Sequence, residues 1–146
     1  MKNEFQRVRE GVSSEKFDGP SIAITGRASN ADECLRRVKE VIELIAKESS
    51  NGTWPNDDEW SARLPSWFTG PFQERTIGQV LEDKNLWDYG SWLDAMRYRG
   101  WQWWSSTCEG DTWSATLLRE DDVYSIEPLI YLARQSGATS LEVTEN

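Results

Sequence analysis

The chain has 146 residues, of which 38% are hydrophobic and 28% are charged, and its formal net charge is −9. This length and composition are typical of a globular domain with its own apolar core, not of a disordered chain. The acidic balance argues against binding to phosphate backbones, and no apolar run approaches the roughly 18 residues that a membrane span needs. We therefore predict a single domain over 1–146 that binds neither nucleic acid nor membranes.

The two cysteines, Cys34 and Cys108, lie far apart in the sequence. A secreted domain that depends on disulfides usually carries more of them. The N-terminal residues also lack the apolar core of a signal peptide. These features predict two reduced, partly buried thiols in a cytoplasmic protein.

The negative charge is confined to one part of the chain. Residues 1–50 contain nine basic and nine acidic residues, whereas residues 51–146 contain seven basic and sixteen acidic ones. Such a distribution either serves solubility or attracts a basic partner.

The first elements follow from the spacing of apolar side chains. We predict an N-terminal arm over residues 1–19, with room for one short turn of helix, and then a short strand over residues 21–25, with Ile22 and Ile24 on its buried face. Apolar residues then recur at three- and four-residue steps from Cys34 to Ile45, which indicates an amphipathic helix that ends near Gly52.

The next segment, residues 52–75, combines prolines and glycines with five large aromatic side chains. The prolines and glycines disfavour long regular structure, but the segment is too apolar for a flexible linker. We predict an ordered loop packed on the domain. A short helix after Thr76 and a second helix from about Asp88 to Gly100 follow it.

The C-terminal part predicts a hairpin, a helix and a strand. Trp101, Trp103 and Ser105 share one strand face, and a turn at 109–111 leads to a second alternating run. A helix with Pro128 in its first turn and a last strand around residues 141–143 complete the chain. The fold class is therefore α+β, a mixed or antiparallel sheet with helices packed on one face. The β-α-β-β-α-β succession is that of a ferredoxin-like sandwich with an insertion at about 52–100.

The usual catalytic motifs are missing from the sequence. There is no histidine, two distant cysteines cannot form a four-cysteine zinc site, and no glycine-rich phosphate-binding loop is present. We expect a protein that is not an enzyme and that holds no cofactor or metal.

Two runs of carboxylates are the remaining candidates for a site. One follows Trp54 and precedes Trp60, and the other precedes the last helix. Carboxylate pairs beside tryptophan serve glycoside hydrolysis in some enzymes, whereas a solvated loop tip and a solvated turn are the structural alternatives. We favour a contact with a partner over catalysis. The predicted partner-binding residues are Trp54, Asp57, Asp58, Glu59 and Trp60, with a second patch at Glu120, Asp121 and Asp122.

Tryptophan is the most distinctive residue type, since eight of the nine lie in residues 54–104. Trp92, Trp101, Trp103 and Trp113 fit the core faces of the predicted elements. Trp104 lies on the opposite strand face, where it is either exposed or covered by the 52–75 loop. The loop tryptophans, Trp54, Trp60 and Trp67, serve either as interface anchors or as local packing.

Two segments resemble a known group of proteins. Residues 85–104 read NLWDYGSWLDAMRYRGWQWW and residues 126–138 read IEPLIYLARQSGA. Together with the size and acidity, they are similar to the tryptophan-rich C-terminal part of immunity proteins, which protect bacteria from their own polymorphic or contact-dependent growth-inhibition toxins. The likeness spans at most residues 65–145. It implies a cytoplasmic protein that binds and neutralises a cognate toxin domain, often a basic nuclease. No site residue carries over from the family.

Three hypotheses follow. The first is an immunity or inhibitor protein for a basic toxin domain. The second is a carbohydrate-binding or carbohydrate-active protein that uses the tryptophan-rich loop as a stacking platform, and the third is an acidic DNA-mimic inhibitor. The identity of the partner and the oligomeric state stay open at this stage.

Overall fold

The computed structural model of the protein describes residues 2–10, 17, 19–83 and 86–145. These residues form seven helices and one four-stranded sheet, which confirms the predicted α+β class. Part of the predicted N-terminal arm (residues 1, 11–16 and 18) and Asn85 of the tryptophan-rich segment lie outside the described residues.

The elements follow one another along the chain with short connections. In chain order they are α1 (Glu4–Glu10), β1 (Ser21–Arg27), α2 (Ala31–Ser50), α3 (Asp57–Arg63), α4 (Ser66–Glu74), α5 (Ile77–Glu82), α6 (Tyr89–Arg97), β2 (Trp101–Glu109), β3 (Thr112–Arg119), α7 (Glu127–Gln135) and β4 (Ser140–Glu145). The strands, the hairpin and the helices α2, α5, α6 and α7 lie where the sequence pattern predicts them.

The sheet has the strand order β2-β3-β1-β4, and every neighbouring pair is antiparallel. Ile24 of β1 lies opposite Ala115 of β3 on one side and Val143 of β4 on the other. The helices α3 to α6 are inserted between α2 and β2. The ferredoxin-like assignment stays a prediction.

The core lies between one face of the sheet and the helices α2 and α7. Ile22 and Ile24 alternate inward from β1, and the apolar stripe of α2 includes Val38, Val41 and Ile45, all fully buried. The thiol of Cys34 lies 3.8 Å from the backbone oxygen of Ala133, so α2 and α7 are in direct contact. The inward side chains of β1, which alternate along the strand, and the apolar stripe of α2, which repeats every helical turn, therefore pack together in a single apolar layer.

The segment 52–75 differs from the predicted loop because it contains α3 and α4. Asn56 accepts a hydrogen bond from the backbone N–H of Glu59, and the Glu59 side chain accepts one from the backbone of Asn56. This reciprocal cap starts α3 within a proline-rich stretch. Helix α4 forms although it contains Pro71, and it buries the side chain of Phe68. Local capping and burial outweigh the proline signal here.

Strand β2 contains an irregularity that shifts its side-chain pattern. The register changes between Trp103 and Ser105, so Ser106, not Ser105, lies opposite Ala115 on the core face. Ser106 is buried and Ser105 is only half-buried. The prediction that Ser105 shares the face of Trp101 and Trp103 is wrong because a bulge inserts one residue.

The described part of the predicted arm includes the helix α1, which packs on α2 and on the outer edge of β2. Glu4 accepts a hydrogen bond from the backbone N–H of Trp103 at 2.7 Å, and Arg7 Nε donates to the backbone oxygen of Trp103 at 3.1 Å. Arg7 and Phe17 also cover Trp104. The guanidinium carbon of Arg7 lies 4.6 Å from the centre of the Trp104 ring, and the centre of the Phe17 ring lies 5.3 Å from it. Trp104 is therefore half-buried, with the N-terminal segment over its ring.

Candidate functional site

The first predicted acidic run forms the first turn of α3. Asp57, Asp58 and Glu59 are all exposed, and their charges are favourable at a helix N-terminus. Glu59 also closes the cap with Asn56 and lies 3.9 Å from Arg63, so it has a structural role. Among the described residues Asp58 forms no ion pair, which leaves its carboxylate available to a partner.

The two tryptophans beside this run differ in exposure. Trp60 is fully buried, and Trp54 is half-buried with its ring edge-on to Trp60 at 4.9 Å. Trp60 therefore has no surface with which to contact a partner, and its predicted contact role is corrected to a core role. The sequence did not separate the two because the inward face of α3 was not predicted. Trp67 is half-buried beneath Arg37, whose guanidinium lies 5.3 Å from its ring.

The second predicted run, Glu120, Asp121 and Asp122, is exposed in the loop between β3 and α7. Backbone hydrogen bonds hold this loop. The backbone oxygen of Gly100 accepts from the N–H groups of Glu120 and Asp121 at 2.9 and 3.3 Å, and Ser125 donates to the oxygen of Arg99 at 2.8 Å. The carboxylates are thus presented on a fixed backbone.

The helix α6 connects the two acidic runs. A Cβ on Gly90, in its first turn, would lie 3.4 Å from Asp57 Oδ2, whereas Gly100, which holds the second run, follows its C-terminal end. Nine helical residues separate these ends by about 13 Å. Two further exposed carboxylates lie at the start and along the side of α6. We call the whole set the α6 acidic face, and it consists of Asp57, Asp58, Glu59, Asp88, Asp94, Glu120, Asp121 and Asp122.

Large side chains that sequence reasoning missed are exposed beside these carboxylates. Tyr98 is 72% exposed and Val123 is 86% exposed. Arg97 lies between Tyr98 and Trp54, with its guanidinium 5.3 and 5.9 Å from the two rings. Tyr98 lies off the apolar stripe of α6, and this departure from the helical pattern was the available signal.

Two adjoining cavities open on this side of the molecule. The smaller cavity has a volume of about 230 Å³ and is lined in part by Trp54. The larger has a volume of about 350 Å³ and is lined in part by Glu120 and Asp121. Arg97, Tyr98 and Ser49 line both. We call the larger one the α6–β2 cavity, because it lies where α6 passes into β2.

Buried charges line the α6–β2 cavity. Glu4 and Arg99 are 3% and 5% exposed, and Arg99 Nη2 donates to Glu4 Oε1 at 2.5 Å. Burial raises the pKa of Glu4, against the opposing effects of Arg99 and of the Trp103 N–H. The Nε atom of Arg99 has no hydrogen-bond partner among the described residues. This buried donor is one of the few polar atoms in the described core that stay unsatisfied.

The two thiols are both placed where they are poorly ionised. Cys34 and Cys108 are both free thiols, and burial raises the pKa of each. A raised thiol pKa disfavours the nucleophilic thiolate. No group of three or more Cys, Asp or Glu among the residues that the structure describes is placed to hold a metal ion.

No family model, curated protein or solved structure matches this chain. None of the helices within the described ranges is both long and apolar enough to cross a lipid bilayer. The α6 acidic face and the cavity beside it are the features of this chain that bear on its function.

Proposed function

We propose that this chain is an immunity or inhibitor protein that binds a basic toxin domain, such as a nuclease, through the α6 acidic face. One observation carries the proposal: two acidic runs about sixty residues apart in sequence lie at the two ends of the same short helix. Together with Asp88 and Asp94, they give eight exposed carboxylates on and around α6. A surface of this charge attracts a basic protein and orients it during encounter.

The composition of the surface supports a protein partner. Protein interfaces combine large anchor side chains with polar groups around them, and tyrosine, tryptophan and arginine are enriched among the anchors. Tyr98 and Val123 are exposed within the carboxylates, and Arg97 is stacked between two aromatic rings. Because backbone hydrogen bonds hold the 120–125 loop, little ordering entropy is lost on binding.

The other two hypotheses have less support from the geometry. A carbohydrate platform on residues 52–75 needs exposed rings, but Trp60 is buried and Trp54 is packed edge-on against it. A DNA mimic needs spaced carboxylates, which the face provides, but it makes no use of exposed Tyr98 and Val123.

The test is a growth assay in a toxin-sensitive bacterium. The C-terminal domain of the protein encoded immediately upstream of this gene is induced with and without the chain. We expect the domain alone to stop growth and the chain to restore it. Growth arrest that persists in the presence of the folded chain would rule out this pairing.

A surface variant connects the assay to the α6 acidic face. The triple variant Asp58→Lys, Asp94→Lys and Asp121→Lys changes three exposed carboxylates and avoids the capping residue Glu59. We expect it to fold, with only a small decrease in melting temperature from the loss of a favourable charge at the N-terminus of α3, and to lose protection. The matched control Glu109→Lys, Glu142→Lys and Glu145→Lys makes the same charge change on β2 and β4 and should still protect. Equal protection by both variants would place the contact elsewhere.

A further inference from the structure

The two edges of the sheet are protected in different ways. Strand β4 is one edge, and two of its six residues are the exposed carboxylates Glu142 and Glu145. Charges on an edge strand oppose its pairing with a strand of another chain. Strand β2 is the other edge, and its residues 101–108 carry no charge, with three tryptophans among them. The protection of β2 therefore has to come from another part of the chain.

Helix α1 takes the place of a neighbouring strand beside β2. The backbone N–H of Trp103 donates to Glu4 Oε2 at 2.7 Å, and the backbone oxygen of Trp103 accepts from Arg7 Nε at 3.1 Å. Arg7 Nη2 also donates to the side-chain oxygen of Gln102 at 2.8 Å. Two polar side chains of α1 thus bind the donor and the acceptor through which a further strand would pair at Trp103.

Helix α1 is held mainly by polar contacts. It has seven residues, too few for a helix that is stable by itself, and its one fully buried apolar side chain is Val8. The ion pair between Glu4 and Arg99 is buried, so its attraction is offset by the removal of both charges from water. Burial raises the pKa of Glu4, which means that this site disfavours the ionised carboxylate. A short helix with these contacts is the kind of element that opens locally while the rest of the fold persists.

We propose that the β2 edge is a strand-pairing surface for a second copy of this chain, and that α1 is the cover that keeps it closed. In an antiparallel pair centred on Trp103, each copy donates its Trp103 N–H to the Trp103 oxygen of the other, and these are the two groups that α1 now binds. No charged residues meet where the two copies of residues 101–105 lie opposite each other, whereas self-pairing of β4 would bring the carboxylates of Glu142 and Glu145 close together. An uncharged segment of high β-propensity without proline or glycine is typical of strands that pair with themselves. This inference is independent of the proposed function.

Amide hydrogen exchange of the native chain at low protein concentration tests whether α1 opens by itself. The Trp103 amide is bonded to Glu4 of α1, whereas the Ile24 amide lies in β1, which is paired on both sides. If α1 is a cover, the protection factor of Trp103 should be at least about ten-fold lower than that of Ile24, since exchange of Trp103 needs only local opening. Equal protection of the two amides would show that α1 leaves only on global unfolding, and would overturn the proposal.

Two full-length variants loosen α1 by different routes. Arg7→Ala removes the bond to the backbone oxygen of Trp103, and Val8→Ser removes the apolar anchor of α1. In sedimentation equilibrium each should form a dimer with a dissociation constant at least about ten-fold lower than that of the native chain. The Trp92 indole N–H, which donates to the backbone oxygen of Pro128, reports by NMR that the packing of α6 on α7 is intact.

A glutamate added to each edge locates the contact. In the Arg7→Ala chain, Gln102→Glu places like charges near each other in the β2 pair and should weaken the dimer at least about ten-fold, whereas Thr144→Glu adds the same charge on β4 and should not. The control Glu10→Ala removes only an exposed ion pair of α1 and should behave as the native chain does. Folded Arg7→Ala and Val8→Ser chains that stay monomeric, or a dimer that only Thr144→Glu weakens, would overturn the proposal. Unfolding of both variants would do so as well, since a cover can be removed without loss of the fold.

Discussion

Arg99 is the residue that links most of the structure around the candidate site. Its side chain donates to Glu4 of α1, to Ser49 of α2 and to the backbone oxygen of Met96 in α6. Its own backbone oxygen accepts from Ser125 in the acidic loop. A single buried cation therefore connects the N-terminal helix with the proposed contact surface.

Replacing Glu4 should reveal how much the ion pair between Glu4 and Arg99 contributes to the stability of the fold. In Glu4→Ala the charge of Arg99 stays buried without its counterion, and the Trp103 N–H loses its acceptor. We expect a loss of about 3–5 kcal/mol in the free energy of unfolding, measured by urea denaturation. Glu10→Ala on the same helix removes only an exposed pair with Lys2 and should cost about 1 kcal/mol or less. Similar losses for both variants would show that the buried pair has no special role.

Gly100 fixes the position of the second acidic run. Its φ is +78°, and an added Cβ would lie 2.7 Å from the backbone oxygen of Val123. Gly110 has a similar φ of +63° but open space around it. We expect Gly110→Ala to cost about 1–2 kcal/mol for the left-handed backbone alone, and Gly100→Ala to cost about 1–3 kcal/mol more because of the clash. Urea denaturation of both variants measures the difference, and equal losses would contradict the close approach.

At the scale of elements, α2 gives a prediction about pH. Hydrogen bonds from Arg36 lower the pKa of Glu33 to about 2, with a further contribution from Arg37. Because the folded pKa lies below the ordinary value of 4.5, ionised Glu33 stabilises the fold above about pH 4.5, and this stabilisation is lost as the pH falls toward 2.

The melting temperature of Glu33→Gln tests this direction. At neutral pH and low salt the variant should melt below the native chain, and the difference should disappear near pH 2. The pair is exposed, so added salt should also reduce the difference. A difference that persists at acidic pH would mean that Glu33 acts through packing, not through its charge.

The elements with a clear period could be predicted from the sequence. The strand at Ile22 and Ile24, the helix α2 and the hairpin all bury their apolar face in the observed fold. The pattern indicated one short turn of helix where α1 spans Glu4–Glu10. Its one fully buried apolar side chain is Val8, whereas Glu4 and Arg7 are buried by bonding to Trp103. The pattern missed α3 because the Asn56 cap starts a helix that is too short for periodicity to show.

At the scale of the whole molecule, the acidic residues of the candidate site could be named from the sequence, but their arrangement could not. Charge runs mark Asp58 and Asp121 as exposed, and both are exposed in the structure. Their approach to the two ends of α6 depends on the packing of α3 and on the Gly100 hydrogen bonds, which are contacts between distant segments. The exposure of Tyr98 could not be predicted either, because it depends on whether other segments of the chain pack over its side chain.

The positions of the acidic residues, more than the net charge of the chain, should control the rate of encounter with a basic partner. Three reversals to lysine change the net charge from −9 to −3, whether they lie on the α6 acidic face or on β2 and β4. Asp58→Lys, Asp94→Lys and Asp121→Lys should slow association about ten-fold at low salt and flatten its salt dependence, because charge near the contact steers the approach. Glu109→Lys, Glu142→Lys and Glu145→Lys should slow it only about two-fold, since their field is screened within a Debye length of about 8–10 Å.

Stopped-flow association with the purified toxin domain over a range of salt concentrations separates these cases. Equal slowing by the two triple variants would mean that net charge governs encounter and that the α6 acidic face has no special position. Greater slowing by the β2 and β4 variant would move the contact from the α6 acidic face to the surface around those two edge strands. Selective slowing by the α6 variant, with the fold retained, would place the encounter surface on the α6 acidic face.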